Sequence, residues 1–155
     1  MRLTELFTPD DLIVDFDPVD KWDSVGLLVA HLVQRGRVPA EAEIAVRDAV
    51  LARERSQSTG MERCIAIPHA AVDGVDEIAG ALGIVRTETG LSFECIDGQP
   101  ARLIVLLVIP KKQKLLHIRT LADVARVLGK GDVREALLSA DTAQAAWNVL
   151  RGGEG

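Results

Sequence analysis

The chain has few cysteines, few aromatic residues and no long apolar run. Its two cysteines, Cys64 and Cys95, do not form a CxxC pair, which is typical of a reduced cytosolic protein rather than of a disulfide framework. No basic cluster with interleaved aromatic residues occurs, which argues against nucleic acid as a partner. No run reaches membrane-spanning length, and the first residues lack the apolar core of a signal peptide. These absences predict a cytoplasmic protein without membrane insertion.

What remains is the composition of an ordinary globular domain. The 155 residues are 48% hydrophobic and 26% charged, with a formal net charge of −5, so they can bury a sizeable core. Neither an internal repeat nor a long linker divides the chain. We therefore expect one domain over residues 1–151 and a disordered glycine-rich tail over residues 152–155.

Strand and helix patterns alternate along the chain. The clearest strand is the unbroken apolar run 103–109, and because both of its faces are apolar, helices should cover both faces of the sheet. Weaker strand patterns lie at residues 12–16, 65–67, 78–85 and 91–93. Helical spacing marks residues 17–36, 39–55 and 113–128, with two shorter helices after them. The expected fold is α/β, a three-layer sandwich with a central mixed β-sheet of about five strands flanked by helices on both faces.

One stretch of the chain joins a polar turn, a short apolar strand and a histidine. The turn is Ser58-Thr59-Gly60, the strand is residues 65–67, and Pro68-His69 follows it. Proline cannot donate to a sheet ladder and tends to end a strand. We therefore expect His69 at a strand tip, where a rigid scaffold can fix the direction of a nucleophilic ring nitrogen.

Further motifs accompany this stretch in a fixed order. Arg53-Glu54 precedes the turn, Asp97-Gly98-Gln99-Pro100 precedes the apolar strand 103–109, and His117 follows that strand in a His-Ile-Arg-Thr-Leu-Ala setting. The series resembles the enzyme IIA domains of the phosphoenolpyruvate-dependent sugar phosphotransferase system, of the fructose/mannitol and nitrogen-regulatory type. The resemblance covers nearly the whole chain, and the ordered series is more specific than any single motif.

The resemblance implies a phosphocarrier in which His69 accepts a phosphoryl group from the histidine-containing phosphocarrier protein. Arg53 would then stabilise the phosphate, and His117 would support the site from the start of a helix. The Ser58-Thr59-Gly60 turn would bind phosphate oxygens. No cofactor and no metal are implied, and the onward partner would be a IIB domain or a regulatory target protein.

Alternatives remain for the function and for single residues. Ser58 and Thr59 also fit plain turn chemistry, and Arg53 also fits a solvated helix end. A zinc site built from Cys64, His69 and His117 is conceivable, although the spacing matches no common ligand pattern. The alternative function is a non-catalytic regulatory interaction module with the same fold.

The loop after the turn departs from the family pattern. Family members usually carry further glycines there, whereas this chain reads Glu62-Arg63-Cys64. Glycine permits positive φ and a close approach of backbones. We therefore expect slower docking of the partner and slower phosphorylation than in a relative with the full set of glycines.

Overall fold

The computed structural model describes residues 2–154, without the side chain of Lys114. In this part of the chain the strands are β1 (Leu12–Ile13), β2 (Ile65–Ala66), β3 (His69–Val72), β4 (Ala79–Ile84) and β5 (Leu103–Pro110). The helices are α1 (Leu3–Leu6), α2 (Lys21–Gln34), α3 (Glu43–Ser56), α4 (Lys114–Leu128), α5 (Gly131–Ser139) and α6 (Ala143–Gly153), with 3-10 turns at Pro9–Asp11 and Ala40–Ala42. None of these helices has both the length and the apolarity needed to cross a membrane.

The five strands form one mixed sheet around β5. On one side β4 pairs with β5 in antiparallel register, with Ala81 opposite Leu106, and β1 extends the sheet parallel to β4. On the other side β2 and β3 both run parallel to β5, one after the other. The order is therefore β1-β4-β5, with β2 and β3 sharing the outer edge.

The two faces of β5 belong to two apolar cores. Ile104, Leu106 and Val108 pack with the buried side chains of α2 and α3. Leu103, Val105, Leu107 and Ile109 pack with those of α1, α4, α5 and α6. All seven side chains are at most 1% exposed, and burying each one contributes about 1.5–3 kcal/mol. The predicted three-layer α/β sandwich is confirmed, because helices cover both faces of this strand.

The strand that carries His69 continues past the proline. β2 stops at Ala66, Pro68 interrupts the ladder, and β3 begins at His69, which lies opposite Leu107. Proline lacks an amide hydrogen, so one bond to β5 is missing; its carbonyl still accepts the Leu107 amide at 3.0 Å. An edge strand tolerates such a gap. The expectation of a histidine at a strand tip is therefore wrong: His69 is the first residue of a resumed strand.

The weakest predicted strand, over residues 91–93, does not form. Leu91 makes a single isolated bridge to Ala101, and no ladder extends from it in the described chain. A bridge of this kind depends on where the opposite segment passes, which local strand propensity does not reveal.

The last residues of the described chain differ from the predicted disordered tail. Gly152 and Gly153 continue α6, and a Cβ placed on Gly153 would lie 2.7 Å from a methyl group of Val133. The Glu154 carboxylate accepts the Thr4 amide at 2.7 Å. Residues 152–154 are therefore ordered by close packing and by this hydrogen bond. Gly155 lies outside the described residues.

Candidate functional site

His69 is held by a hydrogen bond that fixes its tautomer. Its Nδ1 lies 2.8 Å from the carbonyl oxygen of Ile67. Because a carbonyl oxygen only accepts, Nδ1 carries the hydrogen and the neutral ring has its lone pair on Nε2. The residue is only 9% exposed. The ring therefore offers one nucleophilic nitrogen from an otherwise buried position.

The second histidine of the predicted site lies beside the first. The ring centroids of His69 and His117 are 5.2 Å apart and their planes meet at 71°. α4 begins at Lys114, so His117 lies in its first turn, where its amide bonds to the Gln113 carbonyl at 3.1 Å. Ala70, next to His69, packs into the α2–α3 core, so the alternation of a strand turns His69 towards the α4 layer. The fold brings together two histidines that β4 and β5 separate in the sequence.

Arg53 lies in the last turn of α3 and is half-buried. One guanidinium nitrogen donates to the Gln57 carbonyl at 2.8 Å. Arginine carries five N–H donors, so the side chain keeps donors for a phosphate oxygen. Its positive charge is one of the causes that lower the pKa of His69.

The surroundings of His69 favour its neutral form. Burial lowers the pKa of His69 below its ordinary value of 6.5, and the Arg53 charge and His117 lower it further. The hydrogen bond to Ile67 and the Glu54 carboxylate oppose this shift. A lowered pKa means that the ring is an unprotonated nucleophile throughout the neutral pH range.

We predict a matching pH dependence for the reaction of His69 with a small phosphoryl donor such as acetyl phosphate. The labelling rate should fall as the folded protein protonates the ring, with a midpoint below 6.5 because the pKa of His69 is lowered from that value. The unfolded chain takes up this proton at higher pH, so the same shift lowers folding stability as the pH falls through 6.5. NMR titration of the ring measures the midpoint, and a midpoint at or above 6.5 would contradict this account.

The Ser58-Thr59-Gly60 turn is tied down by bonds within the protein. The Ser58 hydroxyl donates to the Phe93 carbonyl and accepts the Gly60 amide at 3.1 Å. Thr59 donates its amide, at 2.9 Å, and its hydroxyl to the Glu54 carboxylate. A Cβ on Gly60 would lie 2.6 Å from the Phe93 oxygen, so only glycine fits. These residues build the turn, and direct phosphate binding by them stays a prediction.

Sequence reasoning missed that the buried carboxylate of Glu54 holds the turn through Thr59. Glu54 is 2% exposed and lies 3.4 Å from Nζ of Lys21, which is also buried. The Lys21 ammonium also lies over the ring of Trp22, at 4.7 Å. A signal was available, because Val46, Val50 and Glu54 recur every four residues and therefore share the inward face of α3.

In the loop that departs from the family pattern, two residues other than glycine adopt a positive φ. Arg63 and Cys64 have φ values of 60° and 64°, whereas Glu62 has no positive φ. This conformation costs L-residues about 1–2 kcal/mol each. The Asp97 carboxylate accepts the Arg63 amide at 2.8 Å, and the amides of Arg63 and Gln99 lower the pKa of Asp97. The Asp97-Gly98-Gln99-Pro100 motif thus helps to hold the strained loop.

The structure does not assemble the conceivable zinc site in the part of the chain that it describes. Between residues 2 and 154 no three His, Cys, Asp or Glu side chains gather in a way that could hold a metal ion.

Comparison with known proteins gives matches over nearly the whole chain. The family model described as "Phosphoenolpyruvate-dependent sugar phosphotransferase system, EIIA 2" matches residues 5–152. The fructose-specific EIIA component of Haloferax volcanii is 33% identical over 153 residues, which are 97% of each chain. The fructose-specific EIIABC component of Bacillus subtilis is 29% identical over 97% of this chain, which spans only 23% of that longer protein.

Solved structures share the fold. The nitrogen regulatory protein IIA-Ntr of Neisseria meningitidis superposes with a TM-score of 0.84 at 24% identity, covering 96% of this chain and 98% of that one. The IIA mannitol protein of Escherichia coli, solved in complex with phosphorylated IIB mannitol, gives a TM-score of 0.78 at 20% identity, covering 94% and 97%. At these identities the likeness concerns the fold.

Proposed function

Because this chain belongs to the EIIA 2 family of the phosphoenolpyruvate-dependent sugar phosphotransferase system, we propose that it is a phosphocarrier that forms a phosphohistidine at His69. One observation carries the proposal: Nδ1 of His69 donates to the Ile67 carbonyl, which leaves Nε2 as the nucleophile beside His117. The proposed donor is the histidine-containing phosphocarrier protein.

The proposed transfer is an attack of the His69 ring on the phosphorus atom of the donor. The Nε2 lone pair attacks phosphorus, the bond between phosphorus and the donor nitrogen breaks, and that electron pair returns to the donor. Positive charge develops on the His69 ring as the new bond forms, and the Ile67 carbonyl stabilises it through the Nδ1 hydrogen. Arg53 offsets the negative charge of the phosphoryl oxygens. His117, whose ring packs edge-on against that of His69, helps to hold the phosphoryl group.

The proposed onward partner is a IIB domain or a regulatory target protein. The IIB partner is supported by the Escherichia coli complex of a IIA mannitol protein with phosphorylated IIB mannitol. Relatives of both fructose and nitrogen-regulatory type match this chain, so both roles fit the family. A cytoplasmic location is part of the proposal and agrees with the two free thiols.

The test is phosphorylation of the purified protein by phosphoenolpyruvate, enzyme I and the phosphocarrier protein. We expect an acid-labile phosphoryl group on the protein. The non-catalytic interaction module is the second candidate, favoured by the strained residues Arg63 and Cys64 in the loop where partners would approach. Absence of label on a folded protein, from both this cascade and acetyl phosphate, would support the module and contradict the phosphocarrier.

We predict that His117→Ala separates acceptance from onward transfer. The variant keeps the His69–Ile67 bond, so it should still accept the phosphoryl group. It loses the ring whose centroid lies 5.2 Å from that of His69, so transfer to a IIB acceptor should slow by about tenfold or more. Rapid-quench measurement of both half-reactions gives the two rates, with His31→Ala as the matched histidine control. Unchanged onward transfer would show that His117 has no supporting role.

A further inference from the structure

Three arginines surround a groove that the proposed reaction does not use. Arg63 comes from the loop between α3 and β2, Arg102 from the residue before β5, and Arg134 from α5. Together with Cys64, Gln99, Pro100 and Glu88 they line a groove of about 350 Å³. This volume is in the range of small-molecule sites.

Two of the guanidinium groups converge on one backbone oxygen. The Gly129 carbonyl accepts from Nη1 of Arg63 at 3.1 Å and from Nη1 of Arg134 at 2.7 Å. No carboxylate pairs with Arg63, Arg102 or Arg134 anywhere in residues 2–154. Like charges this close repel each other. An anion between them would turn the repulsion into attraction.

Enough donors remain to bind such an anion. Arg63 and Arg134 use only Nη1, while Arg102 uses Nε and Nη2 for the Val85 and Arg86 carbonyls. Within residues 2–154, each side chain therefore keeps at least one nitrogen without a protein acceptor, and guanidinium groups match phosphate oxygens well.

The acidic groups near the groove do not cancel its charge. Glu88 lines it, and Asp97 holds the Arg63 amide, so two carboxylates face three guanidinium groups. Burial raises the pKa of Cys64, so its thiol adds no negative charge at neutral pH. The groove keeps a net positive charge.

The backbone at Arg63 adds a second observation. Its φ of 60° suits glycine, and an arginine there is strained. An interaction of the guanidinium with an anion would offset that strain. The arginine thus has a use that a glycine at this position could not supply.

We propose that the groove formed by Arg63, Arg102 and Arg134 binds a small molecule through a phosphate group. The site is separate from His69, and the proposal does not depend on phosphocarrier activity. Two sources share this chemistry, free inorganic phosphate and a small phosphate ester.

The test is an NMR titration of the arginine Nε–H groups and the Arg63 amide with inorganic phosphate and, separately, with glycerol 3-phosphate. Ionic strength is held constant with sodium chloride. We expect saturable shifts for all three arginines, with a Kd of about 1 mM or tighter. Tighter binding of the ester would identify an ester site, and equal binding would identify a site for phosphate itself.

Two variants and one control make the result specific. Arg63→Gly and Arg134→Gln should each weaken binding at least about tenfold. Arg63→Gly removes the strain at a positive φ, so its loss of binding cannot be attributed to unfolding. Arg35→Gln, an exposed arginine paired with Asp10 on the α2 side, should bind as the wild type does. Unsaturable shifts, or equal weakening in Arg35→Gln, would overturn the proposal.

Discussion

Replacement of His69 by alanine is expected to reduce phosphoryl labelling to below about 1% of the wild-type level. His69 is the histidine whose Nδ1 is held by a backbone carbonyl and whose ring packs against that of His117. His31 lies elsewhere, on α2, with its Nε2 at 2.6 Å from the Asp10 carbonyl oxygen, and within the described residues no second histidine ring packs against it. Removal of His69 therefore removes the acceptor itself rather than a supporting group.

Four measurements make this result decisive. Label on the wild type should be acid-labile, and ¹⁵N NMR should place phosphorus on Nε2, because Nδ1 keeps its hydrogen for Ile67. His31→Ala, the matched control, should accept label at the wild-type rate. Circular dichroism should show that His69→Ala is folded. Label that persists in folded His69→Ala, or phosphorus found on Nδ1, would refute the assignment.

The sequence predicted the layers of the fold because the signals for them are local. The apolar run 103–109 has no polar face, which requires cover on both sides, and β5 has that cover. Helical periodicity, which is also a local signal, predicted α2, α3 and α4. The continuation of the strand past Pro68 was missed, because it depends on the Leu107 amide reaching the Pro68 carbonyl from a distant segment.

The candidate site was predictable as a set of residues but not as an arrangement. Family resemblance named His69, His117 and Arg53, and the structure places His117 next to His69. The partner that fixes the His69 tautomer is the main-chain carbonyl of Ile67, and a main-chain group leaves no trace in residue types. The Ser58 and Thr59 hydroxyls, which the resemblance assigned to phosphate, donate instead to the Phe93 carbonyl and the Glu54 carboxylate.

Strain in the loop was foreseeable only in part. The missing glycines indicated a conflict over residues 62–64, and positive φ values at Arg63 and Cys64 locate it. The same values exclude Glu62 from the strain, so glycine there would only remove an exposed side chain. Arg63→Gly and Cys64→Gly are consequently the substitutions that test whether the loop slows partner docking.

Replacement of Glu54 by alanine is expected to destabilise the protein by about 3–5 kcal/mol. The carboxylate has no exposed side-chain surface, and the Lys21 side chain is 10% exposed. Its loss leaves the Lys21 ammonium buried without an opposite charge and leaves the Thr59 amide and hydroxyl without their acceptor. The turn beside His69 should loosen as well, since Thr59 is held there by Glu54.

Urea unfolding followed by circular dichroism measures the effect, with Asp48→Ala as the control. Asp48 lies on the same helix but is exposed, and its contact with Arg47 is 3.7 Å long, so its loss should change stability by less than about 0.5 kcal/mol. Lys21→Met combined with Glu54→Leu should be more stable than Glu54→Ala, because no buried charge remains unpaired. If Glu54→Ala unfolds at the same urea concentration as Asp48→Ala, the pair is not what holds the turn. If the double variant is no more stable than Glu54→Ala, the cost arises from Thr59 rather than from the stranded Lys21 charge.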